Sequence, residues 1–167
     1  KIASAITECR RLGIKITPPD INHSQVSFSI ERDADGAPAI RFGLTAIKNV
    51  GEGTVEPIIK ERDENSVFKS VEDLCRRCDL RNINKRVMES LIKAGTFDSL
   101  VSRGTMLNSI ERILSLAQRV QHLRETGQSA MFDLWGEEMP VPVPSLELET
   151  SDISIGEKLV WEKELMG

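Results

Sequence analysis

The residues with the clearest chemical potential lie in Ile47-Lys48-Asn49-Val50-Gly51-Glu52-Gly53-Thr54, ahead of Val55, Ile58 and Ile59 at helical spacing. Two glycines at such a turn allow positive φ and leave backbone N–H groups uncovered. Uncovered amides at the start of a helix form a ready phosphate site. Contact of that kind holds a sugar-phosphate backbone and reads no bases. The same eight residues also fit an ordinary glycine-capped turn between helices. About forty residues later, Met88-Glu89-Ser90-Leu91-Ile92-Lys93-Ala94-Gly95-Thr96-Phe97-Asp98 repeats the layout with a degenerate glycine pair, so its phosphate site is weaker or absent. Between them lies the densest positive charge: Arg76, Arg77, Arg81, Lys85, Arg86 and Lys93 against Asp79 and Glu89, net +4. A charge run alone is a solvated helical face; beside two such turns it reads as phosphate contact. The residues expected at a DNA backbone are Lys48, Gly51, Gly53, Thr54, Lys85, Arg86, Lys93 and Gly95.

Other combinations are poorer. Cys75-Arg76-Arg77-Cys78 is a lone C-x-x-C. A structural zinc would need two more ligands, and Cys9, His23 and His122 stand at no paired spacing. A redox motif would need a βαβ context that is missing. The expectation is reduced thiols on a helix, with Cys75 or Cys78 facing the core, and no metal site. No Ser-His-Asp set, paired catalytic carboxylates or phosphate loop ending in Lys-Ser/Thr can be assembled, so no catalytic residue is assigned. Gln128-Ser129-Ala130-Met131-Phe132 has the form of a peptide anchor: an amide for a pocket rim and two apolar side chains to fill the pocket. Taken alone, Met131 and Phe132 suit a core position better, as most apolar pairs do.

The elements that must position these residues are mostly helical. Residues 2–12 place Ile2, Ala5, Ile6, Cys9 and Leu12 at helical spacing before Gly13. Pro18-Pro19-Asp20 breaks the chain. Val26–Ile30 alternates, Asp33-Ala34-Asp35-Gly36 can turn, and Ile40–Phe42 alternates again, which predicts a short β-hairpin. Helices are expected near 44–49, 53–63, 70–78, 84–94 and 103–124, the last with Leu107, Ile110, Ile113, Leu114, Ala117 and Val120 on one stripe. Two glycine turns, each between short helices, make a tandem helix-hairpin-helix. Ser70 with Asp73 resembles a capping box, and Ser154 with Glu157 opens a final helix carrying Ile155, Leu159 and Leu165. Pro140, Pro142 and Pro144 among acids give residues 133–150 linker composition. The fold expected is mainly α: an end region with the β-hairpin over 1–43, the tandem domain over 44–124, the peptide and acidic linker over 125–150, and a helix over 151–167.

The 167 residues are 40% apolar and 29% charged, enough for a packed core. No apolar run approaches a membrane span. The net charge of −4 is uneven: residues 131–167 carry −7 and the rest +3, a mildly basic body with an acidic extension. Three cysteines without a signal pattern predict reduced thiols in a cytoplasm. A chain opening on Lys1 inside a helical pattern reads as a piece of a longer protein.

Arg10-Arg11-Leu12-Gly13-Ile14, Pro18-Pro19-Asp20-Ile21-Asn22-His23-Ser24, Ile40–Leu44, Ala46–Gly51, Asn84-Lys85-Arg86 and Leu91–Asp98 closely resemble, in order and spacing, the bacterial DNA polymerase III alpha subunits, the C-family replicative polymerases. The match runs from residue 1 to about 132 and is looser in the final helix. The resemblance implies the end of the fingers, then the tandem helix-hairpin-helix domain against duplex template-primer DNA. In that family a Gln-x-x-Met/Leu-Phe peptide follows as the internal sliding-clamp motif. Gln128, Met131 and Phe132 match it, which turns the preference from core to clamp. Other subunits of the polymerase III holoenzyme are implied as partners, and no membrane. The family's catalytic acids and their divalent metal, magnesium, belong to a palm upstream of Lys1, so no cofactor is expected in this stretch. One departure is Asn49-Val50-Gly51, where many relatives carry Gly-Val-Gly. The alternatives are a helix-hairpin-helix module of a repair or recombination enzyme, which would ignore the clamp, and a scaffold whose hairpins merely pack.

Overall fold

Ile2, Ala5, Ile6 and Cys9 line one side of α1 (Ile2–Arg11), as their spacing predicts, yet none is fully buried. The computed structural model describes residues 2–127 and 145–167. Gly13, at φ 72°, ends α1: its N–H donates to Arg10 O and that of Ile14 to Cys9 O, the paired bonds of a Schellman cap. Then come β1 (Lys15–Thr17), β2 (Ser29–Arg32) and β3 (Pro38–Arg41). The sheet has the order β1-β3-β2, with β1 parallel and β2 antiparallel to β3 and Ile40 opposite both Ile16 and Ile30.

The hairpin exists, but its first strand lies three residues later than the alternation predicts, and β1 was not anticipated. Gln25 and Val26 carbonyls accept instead from the amides of Leu44 and Thr45. This segment crosses directly over Gly43, where a Cβ would lie 2.4 Å from the Ser27 carbonyl carbon. With 25–27 seated there, pairing begins at Ser29 and leaves Ile30 85% exposed.

The loop between β1 and β2 fastens the sheet to the helices. Arg62 of α2 (Glu52–Asn65), itself 4% exposed, donates to Ile21 O and Ser24 O. Asn22 exchanges two bonds with the backbone of Phe68, and Ser24 Oγ donates to Phe42 O. One apolar cluster runs from Ile21 and Phe42 through the helices to Leu165, across the boundaries expected near 43 and 150.

Of the helix expected near 44–49, only a 3-10 turn forms, Leu44–Ala46. Val55, Ile58, Ile59 and Arg62 form the buried stripe of α2. α3 (Val71–Arg77) is capped by Ser70, whose side chain accepts from Asp73 N; the Asp73 carboxylate reaches Lys69 N instead of the cap's own. α4 (Lys85–Lys93) begins at Asn84, which accepts from Val87 N. The single helix expected over 103–124 is two, α5 (Arg103–Asn108) and α6 (Ile110–Glu125), broken at the buried Ser109. Their stripes serve different partners. α5 faces α4 and residue 151, where a Cβ on Gly104 would lie 2.7 Å from Ser151 O. The α6 stripe of Ile110, Ile113, Leu116, Ala117 and Val120 packs against α3 and α4. α7 (Ile155–Met166) opens with the predicted Ser154–Glu157 capping box. Only its Leu165 is buried; Ile155 and Leu159 face solvent.

Candidate nucleic-acid interface

Around the first hairpin three amides are used within the chain, and that of Asn49 finds no acceptor among the described residues. Lys48 N donates to Leu165 O (3.0 Å), Val50 N to Ile47 O (3.2 Å) and Thr54 N to Gly51 O (3.1 Å). The amides of Gly51, Glu52 and Gly53 find no acceptor among the described residues, and all three residues are exposed. They open a 14-residue helix, so the helix dipole adds to their positive potential. Thr54, expected among the donors, is a correction: its N–H is already occupied.

The glycines act differently from the expectation of positive φ. Gly51 is extended (φ −97°, ψ 156°), Gly53 is helical, and the left-handed residue is Asn49, at φ 69°. A Cβ on Gly51 or Gly53 would meet nothing within 4 Å. Neither glycine is therefore demanded by the interior.

The second hairpin is closed. Gly95 is buried at φ 87°, and its N–H donates to Ile92 O (2.9 Å). Thr96 N donates to Leu91 O, and Thr96 O accepts from Ile21 N. Arg103 crosses the turn, 6% exposed, with three bonds to Asp98, one to Glu162 (2.6 Å) and one to Lys93 O (3.0 Å). Burial works against its charge, but the two carboxylates prevail and hold its pKa above the usual guanidinium value. A Cβ on Gly95 would lie 2.4 Å from Arg103 Nη2. Gly95 therefore offers nothing to a phosphate.

The basic run between the hairpins is largely paired within the molecule. Arg76 meets Glu72, Arg77 meets Glu61 and Asp73, Arg81 meets Asp79 and Glu125, and Lys85 meets Glu111 at 2.6 Å. The Lys85–Glu111 hydrogen bond raises the Lys85 pKa. The Lys93 ammonium sits 5.5 Å over the Trp161 ring. Lys48 and Arg86 are exposed, with no carboxylate partner among the described residues. Arg86 lies one turn before Ser90 on α4, and Ser90 accepts from Asn49 Nδ2 at 3.0 Å, which puts Arg86 on the helix face beside the first hairpin. Two residues of this neighbourhood escaped the sequence reading, Ser90 and Glu52, an exposed carboxylate between the bare amides, and Asn49 was noted only as a departure from the relatives' glycine. The signal for Asn49 was present, since asparagine is the side chain that most readily replaces glycine at positive φ.

Cys75 and Cys78 are both buried, and burial pushes both thiols up to about 12. No group of three metal-ligating side chains occurs among the described residues. Nor is any described helix long and apolar enough to cross a membrane. Gln128, Met131 and Phe132 lie outside the described residues.

Known proteins carry a similar segment. The chain is 39% identical over 139 residues to the DNA polymerase III subunit alpha of Escherichia coli strain K12, covering 83% of this chain and 12% of that protein. It is 38% identical over 167 residues to the subunit of the same name from Thermus aquaticus, covering all of this chain and 13% of that one. The Pseudomonas aeruginosa subunit alpha is 31% identical over 183 residues, covering all of this chain and 15% of its own length. The chain thus spans about an eighth of the length of the first two. A family model described as the helix-hairpin-helix motif matches residues 13–106, which take in both glycine turns and the helices around them. With one hairpin open and one closed, the chain belongs to the helix-hairpin-helix motif family.

Proposed function

We propose that this chain grips duplex DNA by its sugar-phosphate backbone as part of a bacterial replicative DNA polymerase of the polymerase III alpha type, acting in the cytoplasm. The observation that carries this reading is the row of unpartnered, exposed amides at Gly51, Glu52 and Gly53. Each can donate to a phosphate oxygen, and Lys48 and Arg86 supply the cations. Recognition of this kind is indifferent to sequence, as a polymerase that must advance over every template requires. The closed second hairpin has a supporting role: it seats α4 and α5 so that the open one is held out. In this reading no residue of the chain touches the reacting atoms or binds the metal of nucleotidyl transfer.

Gln128, Met131 and Phe132 serve as the sliding-clamp peptide. A modest local affinity there suffices, because a clamp encircling the same DNA turns dissociation into an intramolecular event. Support for this comes from the peptide pattern and its place after the tandem domain. Capture on immobilised clamp should be lost with Phe132→Ala while duplex binding is kept; loss of neither would remove the clamp role.

The DNA role is tested by duplex titration at two salt concentrations. Two free cations imply a loss of about tenfold in affinity between about 50 and 200 mM salt, against roughly a thousandfold had all six bases of the run engaged phosphates. Salt-independent binding, or none at low salt, refutes the role.

A further inference from the structure

Asn49, at φ 69°, is the only non-glycine residue in the left-handed region among the described residues. Glycine would adopt this conformation at lower cost; what asparagine adds at this turn is a side chain that can hydrogen-bond. Its Nδ2 donates to Ser90 Oγ at 3.0 Å, and the Ser90 hydroxyl, 4% exposed, donates to Arg86 O at 3.0 Å. A short chain of hydrogen bonds thus ties the tip of the open hairpin to the helix that carries Arg86. On the other side, Lys48 N donates to Leu165 O at the end of α7, and Val50 is buried.

Resting on the phosphate-gripping role given above, we propose that Asn49 and Ser90 form a latch that preorganises the site. Asn49 is a positioning residue: it touches no phosphate but fixes where the three bare amides point relative to Arg86. Without it the hairpin must be ordered by the DNA itself, and that ordering is subtracted from affinity. The number of phosphates neutralised stays the same, so the salt dependence stays the same.

The test is a titration of the full chain with a short labelled duplex at about 50 and 200 mM salt, for the wild type, Asn49→Gly, Ser90→Ala and the double variant. Each single change should weaken binding about fivefold, the scale of one neutral hydrogen bond. The double variant should be no weaker than either single one, and all should keep the wild-type salt slope. A latch that is only structural would lower the melting temperature and leave affinity unmoved, which refutes the proposal. Additive losses in the double variant refute it too, because the two residues would then act separately. Glycine takes the same φ as Asn49 at this exposed position, so Asn49→Gly decides the matter even where Ser90→Ala does not fold. Wild type without salt-sensitive binding would instead overturn the phosphate role, and the latch with it.

Discussion

Glu52 allows the bare amides to be tested with two substitutions of opposite sign. It is the first residue of α2, its side chain is exposed, and its N–H has no acceptor among the described residues. Glu52→Gln keeps the amide and removes a negative charge. A carboxylate about 6 Å from a phosphate in water repels it by about 0.7 kcal/mol, so this variant should bind duplex roughly threefold more tightly at low salt. Glu52→Pro removes the same charge and also the N–H. Proline is favoured at the first helical position, and Gly51 already has the extended conformation that a following proline demands. Losing the first-turn carboxylate costs about 0.3–1 kcal/mol, and the stiffer unfolded chain offsets about as much, so the fold should be as stable as before. A hydrogen bond to a charged acceptor contributes about 1.5–3 kcal/mol. The proline variant should therefore bind about 10- to 100-fold more weakly than the glutamine variant. Fluorescence anisotropy with a labelled duplex, beside thermal melts, measures both effects. Equal affinity of the two variants, at equal melting temperature, would refute the amide contact.

Gly53→Ala should stabilise the fold by about 0.5–1 kcal/mol, since a Cβ there meets nothing, and weaken duplex binding by crowding the phosphate; thermal melts and anisotropy read the two effects. Gly95→Ala should do the reverse: strain at φ 87° and the 2.4 Å approach to Arg103 predict a loss of more than about 2 kcal/mol in urea unfolding. The affinity of the molecules that remain folded should be unchanged. Burial raises the Cys75 and Cys78 thiols from 9.0 to about 12. The unfolded chain therefore loses these protons first, and stability, complete below pH 9, should fall as pH rises from 9 toward 12. Urea midpoints across that range should decline less in a Cys75→Ala/Cys78→Ala variant.

Where local chemistry decided the structure, the sequence was readable. The Ser154–Glu157 box, the Ser70 cap and the α2 stripe follow from contacts made within a turn or two of helix. Long-range contacts decided the rest. The alternation over 26–30 was real, yet residues 25–27 were claimed by the backbone of Leu44 and Thr45. The stripe over 103–124 was continuous in spacing, but its two ends pack on different neighbours. At the candidate site, the turn before α2 was legible but its conformation was not, since the positive φ expected of Gly51 and Gly53 fell to Asn49. The charge count was misleading, since it could not see that Glu61, Glu111 and Glu125 would fold back onto the run. Arg103 gave no sign at all that it would seal the second hairpin.

Amide proton shifts on adding duplex DNA test the open hairpin most directly. Nitrogen-15 labelled chain at low salt should show its largest downfield shifts at Gly51, Glu52 and Gly53, reversed by added salt, with Gly95 and Thr96 unmoved. Shifts spread over the basic helices with those three amides still would contradict it.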